Sequence, residues 1–325
     1  IAKKIKKKTL IILETTLPPG MSEKIIVPLL EKNLKKRRMK LKDIYFAYSY
    51  ERVTPGDNYY NSISNCYRVY AGLNEISAKK CEKFLTKIIN TKRYPMTKLR
   101  TLRDCETCKV FENTYRAVNI ALIDELTKFS IENSLDIKNI LKAIRLRKTH
   151  NNIMNPGLGV GGYCLTKDPK FLEYSSKKIL KNKIDFPIIN KTISINSKMV
   201  NTSIKFIQKK IKIFKYKKIL QIGISYKEDV DDTRFSPSVE LAKKLKKKGV
   251  NLEIYDPLFN KYNLLSFNFV ESMNFSKYDY VLFCVGHKEI KNLNLNNLHK
   301  KPIYFDLNNI FKNINYKILK KKKIK

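Results

Sequence analysis

No apolar run in this chain approaches the roughly 20 residues that a bilayer-spanning helix needs. The longest candidates, Thr9–Leu13 and Lys218–Ile224, are strand-sized. No secretory signal opens it either, because Ile1-Ala2-Lys3-Lys4 runs through lysines into a short strand without an apolar stretch or a small-residue cleavage site. The first residue is not Met, so the chain is expected to begin in mid-gene. Cysteine is sparse and lacks a framework spacing: Cys66, Cys81, Cys105, Cys108, Cys164 and Cys284 are scattered, which fits a reducing cytoplasm rather than a stapled secreted domain. No internal repeat is visible.

Acidic residues are scarce, 29 against 67 lysines and arginines, leaving a formal charge of +38. Such a charge invites a nucleic-acid reading, which steep weakening of binding with salt would reveal. Lysine, however, far outnumbers arginine and is spread along the whole chain among many Ile and Asn. That is compositional drift more than a focused binding stripe. The local clusters at Lys3–Lys8, Lys35–Lys40, Lys243–Lys248 and Lys320–Lys325 read as solvated helix faces or a tail. Hydrophobic residues at 43% argue for a globular fold, and 325 residues for two or three domains.

The pattern along the chain is α/β, then helical, then α/β. A strand at 9–13, a turn at Thr15–Gly20, a helix capped by Ser22 to about Asn33, a strand at Ile44–Tyr48 and a helix near 75–89 predict a parallel sheet. From Thr97 to Ile211 helical periodicity dominates, with Phe111, Tyr115, Val118, Leu122, Leu126 and Phe129 forming one apolar stripe. A shorter helix at Asp136–Ile144, a glycine-rich interruption at 149–168 and two further helices follow. Strands at Lys218–Gly223, Asn251–Tyr255, Tyr280–Val285 and Ile303–Phe305, with Ser236-Pro237 opening a helix through Leu245, complete the pattern.

The densest chemical signal lies at Asn155–Pro169. Gly157, Gly159 and Gly162 match G-x-G-x-x-G, but no strand precedes them and no phosphate-loop helix follows. The glycines are instead expected to let backbone approach a ligand closely. Cys164 follows at a helix start with Lys167 nearby, conditions that favour a thiolate nucleophile; the ordinary alternative is a small buried cysteine. Asp168 could equally be a plain N-cap. The lone pair Cys105/Cys108 reads as structural, and no metal site is expected.

These residues, taken together, resemble the UDP-glucose/GDP-mannose dehydrogenase family. Gly161–Asp168 resembles its active-site cysteine loop and Glu14–Gly20 its S/T-T-x-P-x-G turn. Tyr48–Gly56 is similar to the S-P-E-R-x-x-P-G segment, with Tyr50 in place of proline. Lys109–Asn119 is similar to the central-helix motif, and Ser225–Pro237 to the C-terminal signature. The resemblance implies two Rossmann-like domains, the first incomplete, joined by an all-α central domain: 1–95, 96–212 and 213–325. It implies oxidation of the C6 alcohol of a nucleotide-linked hexose to a carboxylate with NAD, for surface polysaccharide synthesis. The rival β-hydroxyacid dehydrogenases share the plan but use a lysine and no cysteine.

By the same resemblance Cys164 traps an aldehyde as a thiohemiacetal that becomes a thioester. Lys109 and Asn113 hold the reacting oxygen, while Thr16, Glu51 and Asp168 handle protons and water. Thr16 and Arg234 touch NAD, and Lys227, Arg116, Gly161, Gly162 and Tyr163 contact the UDP-sugar. Helical spacing supports part of this: Lys109 and Asn113 share a face opposite Phe111 and Tyr115. Without the motif, Lys109, Lys227 and Arg234 could be ordinary surface charge. The long stripe, which matches the helix that pairs across the family's twofold, implies a homodimer. Two departures stand out. No opening glycine loop exists for the cofactor, so the 325 residues alone are expected to keep some UDP-sugar affinity, reduce no NAD, and expose an apolar sheet edge. An inactive remnant is the alternative. Asp306-Leu307-Asn308 stands where UDP-glucose dehydrogenases carry an arginine; together with the Glu51-Arg52 and Glu112-Asn113-Thr114 segments, this leans the substrate towards a UDP-N-acetylhexosamine or a related sugar.

Overall fold

In this computed structural model the described residues are 1–53, 56, 59–211, 216–259, 267–294, 298 and 302–311. Thr54 and Pro55 of the Tyr48–Gly56 segment, the expected boundary at 212–213 and the Lys320–Lys325 cluster lie outside them. The chain forms two compact units, Ile1–Tyr115 with Lys167–Asn190, and Arg116–Thr166 with Lys191–Lys325.

The first unit carries a four-stranded sheet in the order β1 (Leu10–Leu13), β2 (Tyr45–Tyr48), β3 (Val69–Gly72) and β4 (Thr97–Lys98). β1 and β2 run parallel, as do β3 and β4, but β2 and β3 are antiparallel, with Ala47 opposite Gly72 and Tyr48 opposite Ala71. The two strands expected from sequence, β1 and β2, do pair in parallel; the antiparallel step comes at β3, a strand that was not expected. Alternation of strands and helices reports connectivity, and an apolar strand shows the same pattern whichever way its neighbour points. β1 forms one edge, and all four of its apolar residues are partly exposed. Buried Arg68 braces this sheet, donating to the Ser49 carbonyl at 2.9 Å and the Glu14 carboxylate at 2.5 Å.

After β1 the chain turns through Pro18-Pro19-Gly20 into a helix that starts with π geometry over Ser22–Ile26 and becomes α over Val27–Lys35. Pro28 lacks the N–H that would close on the Lys24 carbonyl, and the wider turn accommodates that loss. The expected cap, Ser22, does not cap this helix; its hydroxyl makes no capping bond. Glu106, wholly buried, does the work instead. Its Oε2 accepts from the Gly20 N–H at 2.6 Å and its Oε1 from the Ser22 N–H at 2.8 Å. A carboxylate beside the positive end of a helix, supplied from 84 residues away, was invisible to a local capping rule.

Glu106 belongs to the long helix Leu102–Glu132, 31 residues without Gly or Pro. A reciprocal pair starts it: Thr101 Oγ1 accepts from the Asp104 N–H at 3.0 Å, and Asp104 Oδ2 from the Thr101 N–H at 3.2 Å. At 1.5 Å per residue it reaches about 46 Å. Its aromatic stripe faces solvent: Phe111 is 58% exposed, Tyr115 61%, Leu122 48% and Phe129 62%. Lys109 is buried on the same helix.

The second unit contains Ile137–Ile144, capped by Asp136, whose Oδ1 accepts from the Asn139 N–H at 3.1 Å. Beyond the glycine-rich loop the expected two helices are three helical stretches, Lys170–Leu180 in the first unit (α then π), and Pro187–Asn196 and Met199–Lys210. The second unit's sheet has β7 (Asn268–Phe269), β6 (Asn251–Tyr255), β5 (Lys218–Ile222), β8 (Tyr280–Phe283) and β9 (Ile303–Asp306) in that order, all parallel. β7 was not expected; two residues are too few to leave a periodic signal. Ser236 opens the helix Pro237–Lys247 as expected, accepting from the Ser238 and Val239 N–H groups while donating to the Ile224 carbonyl at 2.7 Å.

Glu106→Ala leaves two buried N–H groups without acceptors and should cost about 2 kcal/mol or more of stability. Urea unfolding checks this: a lower midpoint at unchanged slope is expected, and a loss under about 0.5 kcal/mol would contradict it.

Candidate active site

Two groups of candidate residues form, one in each unit. In the first, Lys109 and Asn113 stand one helical turn apart. The Lys109 ammonium donates to the Glu51 carbonyl at 3.2 Å and lies 5.2 Å from the centre of the Tyr50 ring. Asn113 donates to Asp168 Oδ2 at 2.7 Å, and the Lys167 ammonium to Asp168 Oδ1 at 2.7 Å. Asp168 has no exposed surface, and these two donors are its partners there. It is not the N-cap that sequence allowed: Pro169 occupies that place before Lys170–Tyr174. The Glu51 carboxylate accepts from the Val53 N–H at 2.5 Å. Thr16 is half-buried on the loop after β1, where the neighbouring Thr15 carbonyl accepts from the Tyr48 hydroxyl at 2.9 Å.

Tyr50, which stands where the family pattern has proline, is buried and anchors this group. Its hydroxyl donates to Glu112 Oε2 at 3.1 Å, accepts from Arg52 Nη2 at 2.9 Å, and lies 3.3 Å from Cys108 Sγ. Burial, then the Cys108 contact and the Glu112 charge, push its phenol far above the usual tyrosine range. Sequence reasoning noted the substitution but had no signal for this role. Cys105, the other member of the CxxC pair, is buried and points at the Tyr48 carbonyl. Among the described residues no cluster of His, Cys, Asp or Glu is arranged for a metal.

In the second unit the glycine loop packs against the chain itself. A Cβ on Gly161 would sit 2.9 Å from Pro237 Cδ and 3.0 Å from Tyr226 Cβ. One on Gly162, at φ +75°, would sit 2.8 Å from Tyr226 Cε2. The close approach that these glycines permit within the chain is to Tyr226 and Pro237, a packing reason that sequence did not suggest. Asn308 fixes the loop's start: its Oδ1 accepts from the Leu158 N–H at 2.8 Å while its Nδ2 donates to the Cys284 carbonyl at 2.7 Å. Asp306 accepts from the backbone N–H groups of Asn308, Ile310 and Phe311. Cys164 emerges exposed as the first residue of the one-turn helix Cys164–Lys167.

Around that loop, Tyr163 meets Phe235 edge-on at 5.3 Å, and the Arg234 guanidinium lies 5.9 Å from the Tyr163 ring. Arg234 is also held by Asp232, with Nη2 to Oδ2 at 2.7 Å and Nε to Oδ1 at 3.0 Å. This pairing holds the Asp232 carboxyl below the usual range. Lys227 lines a cavity of about 260 Å³ together with Gly159, Ser225, Tyr226, Glu228 and Asn308. Burial lowers its amine below the ordinary lysine range, and Arg116 repels it further against the opposing pull of Glu228.

Models of the UDP-glucose/GDP-mannose dehydrogenase family match residues 103–198, as its central domain, and 220–313, as its UDP binding domain. Together they cover more than half of the chain. The chain belongs to this family. It is 34% identical over 315 residues to the UDP-N-acetyl-D-mannosamine dehydrogenase of Methanococcus aeolicus, covering 94% of this chain and 66% of that protein. It is 28% identical over 310 residues to the UDP-N-acetyl-D-glucosamine 6-dehydrogenase of Pseudomonas aeruginosa, covering 92% and 70%. A solved structure, the UDP-D-ManNAc dehydrogenase of Pyrococcus horikoshii, superposes with a TM-score of 0.77 at 28% identity, over 97% of this chain and 72% of that one. The chain spans about two thirds of the length of the curated relatives it first matches.

Family membership brings a dinucleotide-binding fold, but the helix start after β1 does not offer a seat for a pyrophosphate. A pyrophosphate rests on free N–H groups at a helix N-terminus. At the helix after β1, the Gly20 and Ser22 N–H groups are already taken by Glu106.

Thiol exposure separates the cysteines. Cys81, Cys105 and Cys284 are buried, which pushes Cys81 up to about 12 and the other two higher. Limited iodoacetamide treatment at pH 8 should therefore alkylate Cys164 long before these three, since the thiolate is the reacting species. Peptide mass spectrometry showing equal labelling would contradict it.

Proposed function

We propose that this protein takes part in oxidising the C6 hydroxyl of a UDP-N-acetylhexosamine to the uronic acid, with Cys164 as the nucleophile. The observation that carries this reading is the exposed thiol of Cys164, at the first turn of a helix and at the end of a glycine loop fixed by Tyr226, Pro237 and Asn308. The relatives named for N-acetylmannosamine and N-acetylglucosamine substrates support the sugar class. Asp306 and Asn308 are both committed to backbone hydrogen bonds where UDP-glucose dehydrogenases carry an arginine, which favours the same class.

The chemistry assigned to the chain's own residues runs as follows. Once the alcohol has lost its first hydride, the Cys164 thiolate adds to the aldehyde carbon, and the carbonyl oxygen takes up the charge. Lys109 and Asn113 are the cation and amide donor for that oxygen; such donors are worth several kcal/mol in a transition state. Loss of the second hydride leaves a thioester, which water cleaves to the carboxylate and free thiol. Asp168, hydrogen-bonded by Lys167 and Asn113, and Glu51 are the groups that orient and deprotonate that water, and Thr16 handles protons beside them. We read NAD as the acceptor of both hydrides, touched by Thr16 and Arg234. Lys227 and Arg116 are read as partners of the UDP phosphates, with Gly161, Gly162 and Tyr163 shaping the sugar site. The division into 1–95, 96–212 and 213–325 gives these tasks to cofactor-binding, central and UDP-binding segments. The role in surface polysaccharide synthesis and a cytoplasmic setting follow from the same reading; no helix among the described residues is long and apolar enough to cross a membrane.

In a form of the protein that turns substrate over, Cys164→Ser should abolish uronate formation from a UDP-N-acetylhexosamine, because an alkoxide is both a poorer nucleophile and a poorer leaving group here. Undiminished uronate from that variant would sink the assignment.

The aromatic stripe Phe111–Phe129 is the proposed dimer contact: a single helix exposing this much aromatic surface is unusual for a face left in water. Analytical ultracentrifugation at micromolar concentration should find a dimer, and Phe111→Glu combined with Phe129→Glu should convert it to monomer. A wild-type monomer would rule the contact out.

A further inference from the structure

His287 has only 1% of its surface exposed, and its two ring nitrogens face in opposite directions. Nδ1 lies 3.0 Å from the Asp229 backbone nitrogen, whose N–H points at it. A backbone N–H can only donate, so Nδ1 holds a lone pair and the ring proton sits on Nε2. Nε2 faces Asp256 Oδ2 at 3.2 Å and Ser225 Oγ at 3.1 Å. Asp256 is itself fixed, accepting from the Ile224 N–H at 2.7 Å and the Leu258 N–H at 3.0 Å. The grip is returned from the other side, for Asp229 Oδ1 accepts from the Lys288 N–H at 3.0 Å.

The clasped segment is the loop that lines the cavity. Ser225, Tyr226, Lys227 and Glu228 form one wall, and Gly286, the residue before His287, forms part of another. Asp229 sits in the left-handed region at φ +55°, which is uncommon for a non-glycine residue although aspartate adopts it more readily than most. The loop's other ties include the Ser236 hydroxyl to the Ser225 carbonyl at 3.1 Å. They also include the Tyr226 N–H to the Asp232 carbonyl at 2.9 Å and, at the surface, the Glu228–Lys291 ion pair. None of these reaches Asp229, whose side chain is held by the Lys288 N–H and whose backbone N–H is held by His287.

We propose that His287 is a positioning residue for nucleotide binding: its Nδ1 holds the Asp229 N–H, and through it keeps Lys227 and its neighbours in the shape that lines the cavity. This rests on the reading that the cavity takes the UDP part of the substrate. Two variants separate the ring's two contacts. In His287→Asn the side-chain oxygen can occupy the place of Nδ1, keeping the acceptor for Asp229. In His287→Gln the amide can occupy the place of Nε2, keeping Asp256 and Ser225 but losing Asp229. Two measurements on the full 325-residue chain follow: hydrogen exchange of the Asp229 amide, and UDP affinity by calorimetry. The Asn variant should stay within about threefold of wild type in both. The Gln variant should exchange at least about tenfold faster at Asp229 and bind UDP about tenfold more weakly, the size of one lost hydrogen bond. Equal behaviour of the two variants, in either direction, overturns the proposal. So does faster exchange in the Gln variant with undiminished UDP affinity. Wild-type chain with a protected Asp229 amide but no affinity for UDP removes the nucleotide from the cavity, and leaves exchange alone to decide the clasp.

Discussion

A carboxylate with no surface in water must be surrounded by donors, and Asp168 is such a group. Removing a charge from solvent costs several kcal/mol, recovered only if every lone pair finds a partner of the right kind. Lys167 and Asn113 are those partners, and the need for them fixes a good deal else. Asn113 can reach Asp168 only if the long helix presents that face inward, which brings Lys109, one turn earlier, to the Glu51 carbonyl and the Tyr50 ring. Asp168 follows Cys164 by four residues in sequence. Cys164 is exposed, whereas Asp168 is wholly buried.

The opposite solution appears at Glu106. There a buried carboxylate finds its donors in backbone N–H groups at a helix start. Both acids lie on or against the same long helix region, and both answer burial by taking up the partners nearest to hand. The consequence at Glu106 is that a helix end otherwise suited to an anion is occupied by the chain's own side chain.

Much of this was legible in the sequence. Four of the five strands of the second sheet and the Ser236 cap follow from local pattern, because apolar runs and a Ser-Pro pair act within a few residues. Helical period puts Lys109 and Asn113 on one face, opposite Phe111 and Tyr115, but that this is the inward face came from the motif and not from the period. What was not legible depends on groups far apart in sequence or on direction. The antiparallel pairing of β2 and β3, the capping of Gly20 and Ser22 by Glu106, and the packing of Gly161 and Gly162 on Tyr226 leave no local trace. A glycine needed for close approach reads the same whether a ligand or a tyrosine is what comes close. His287 and Asp256, 31 residues apart, were passed over for the same reason.

Asn308 joins the start of the glycine loop to the end of β8 with both ends of one amide, and Tyr226 and Pro237 fill the space that side chains on Gly161 and Gly162 would need. The loop's shape is therefore inherited from the parallel sheet of the second unit and not stored in the loop. Exchanging the stretch 157–164 between members of the family would transfer its sequence without its conformation. A working graft must carry the asparagine, the tyrosine and the proline as one unit, and over evolutionary time those positions are free to drift only together.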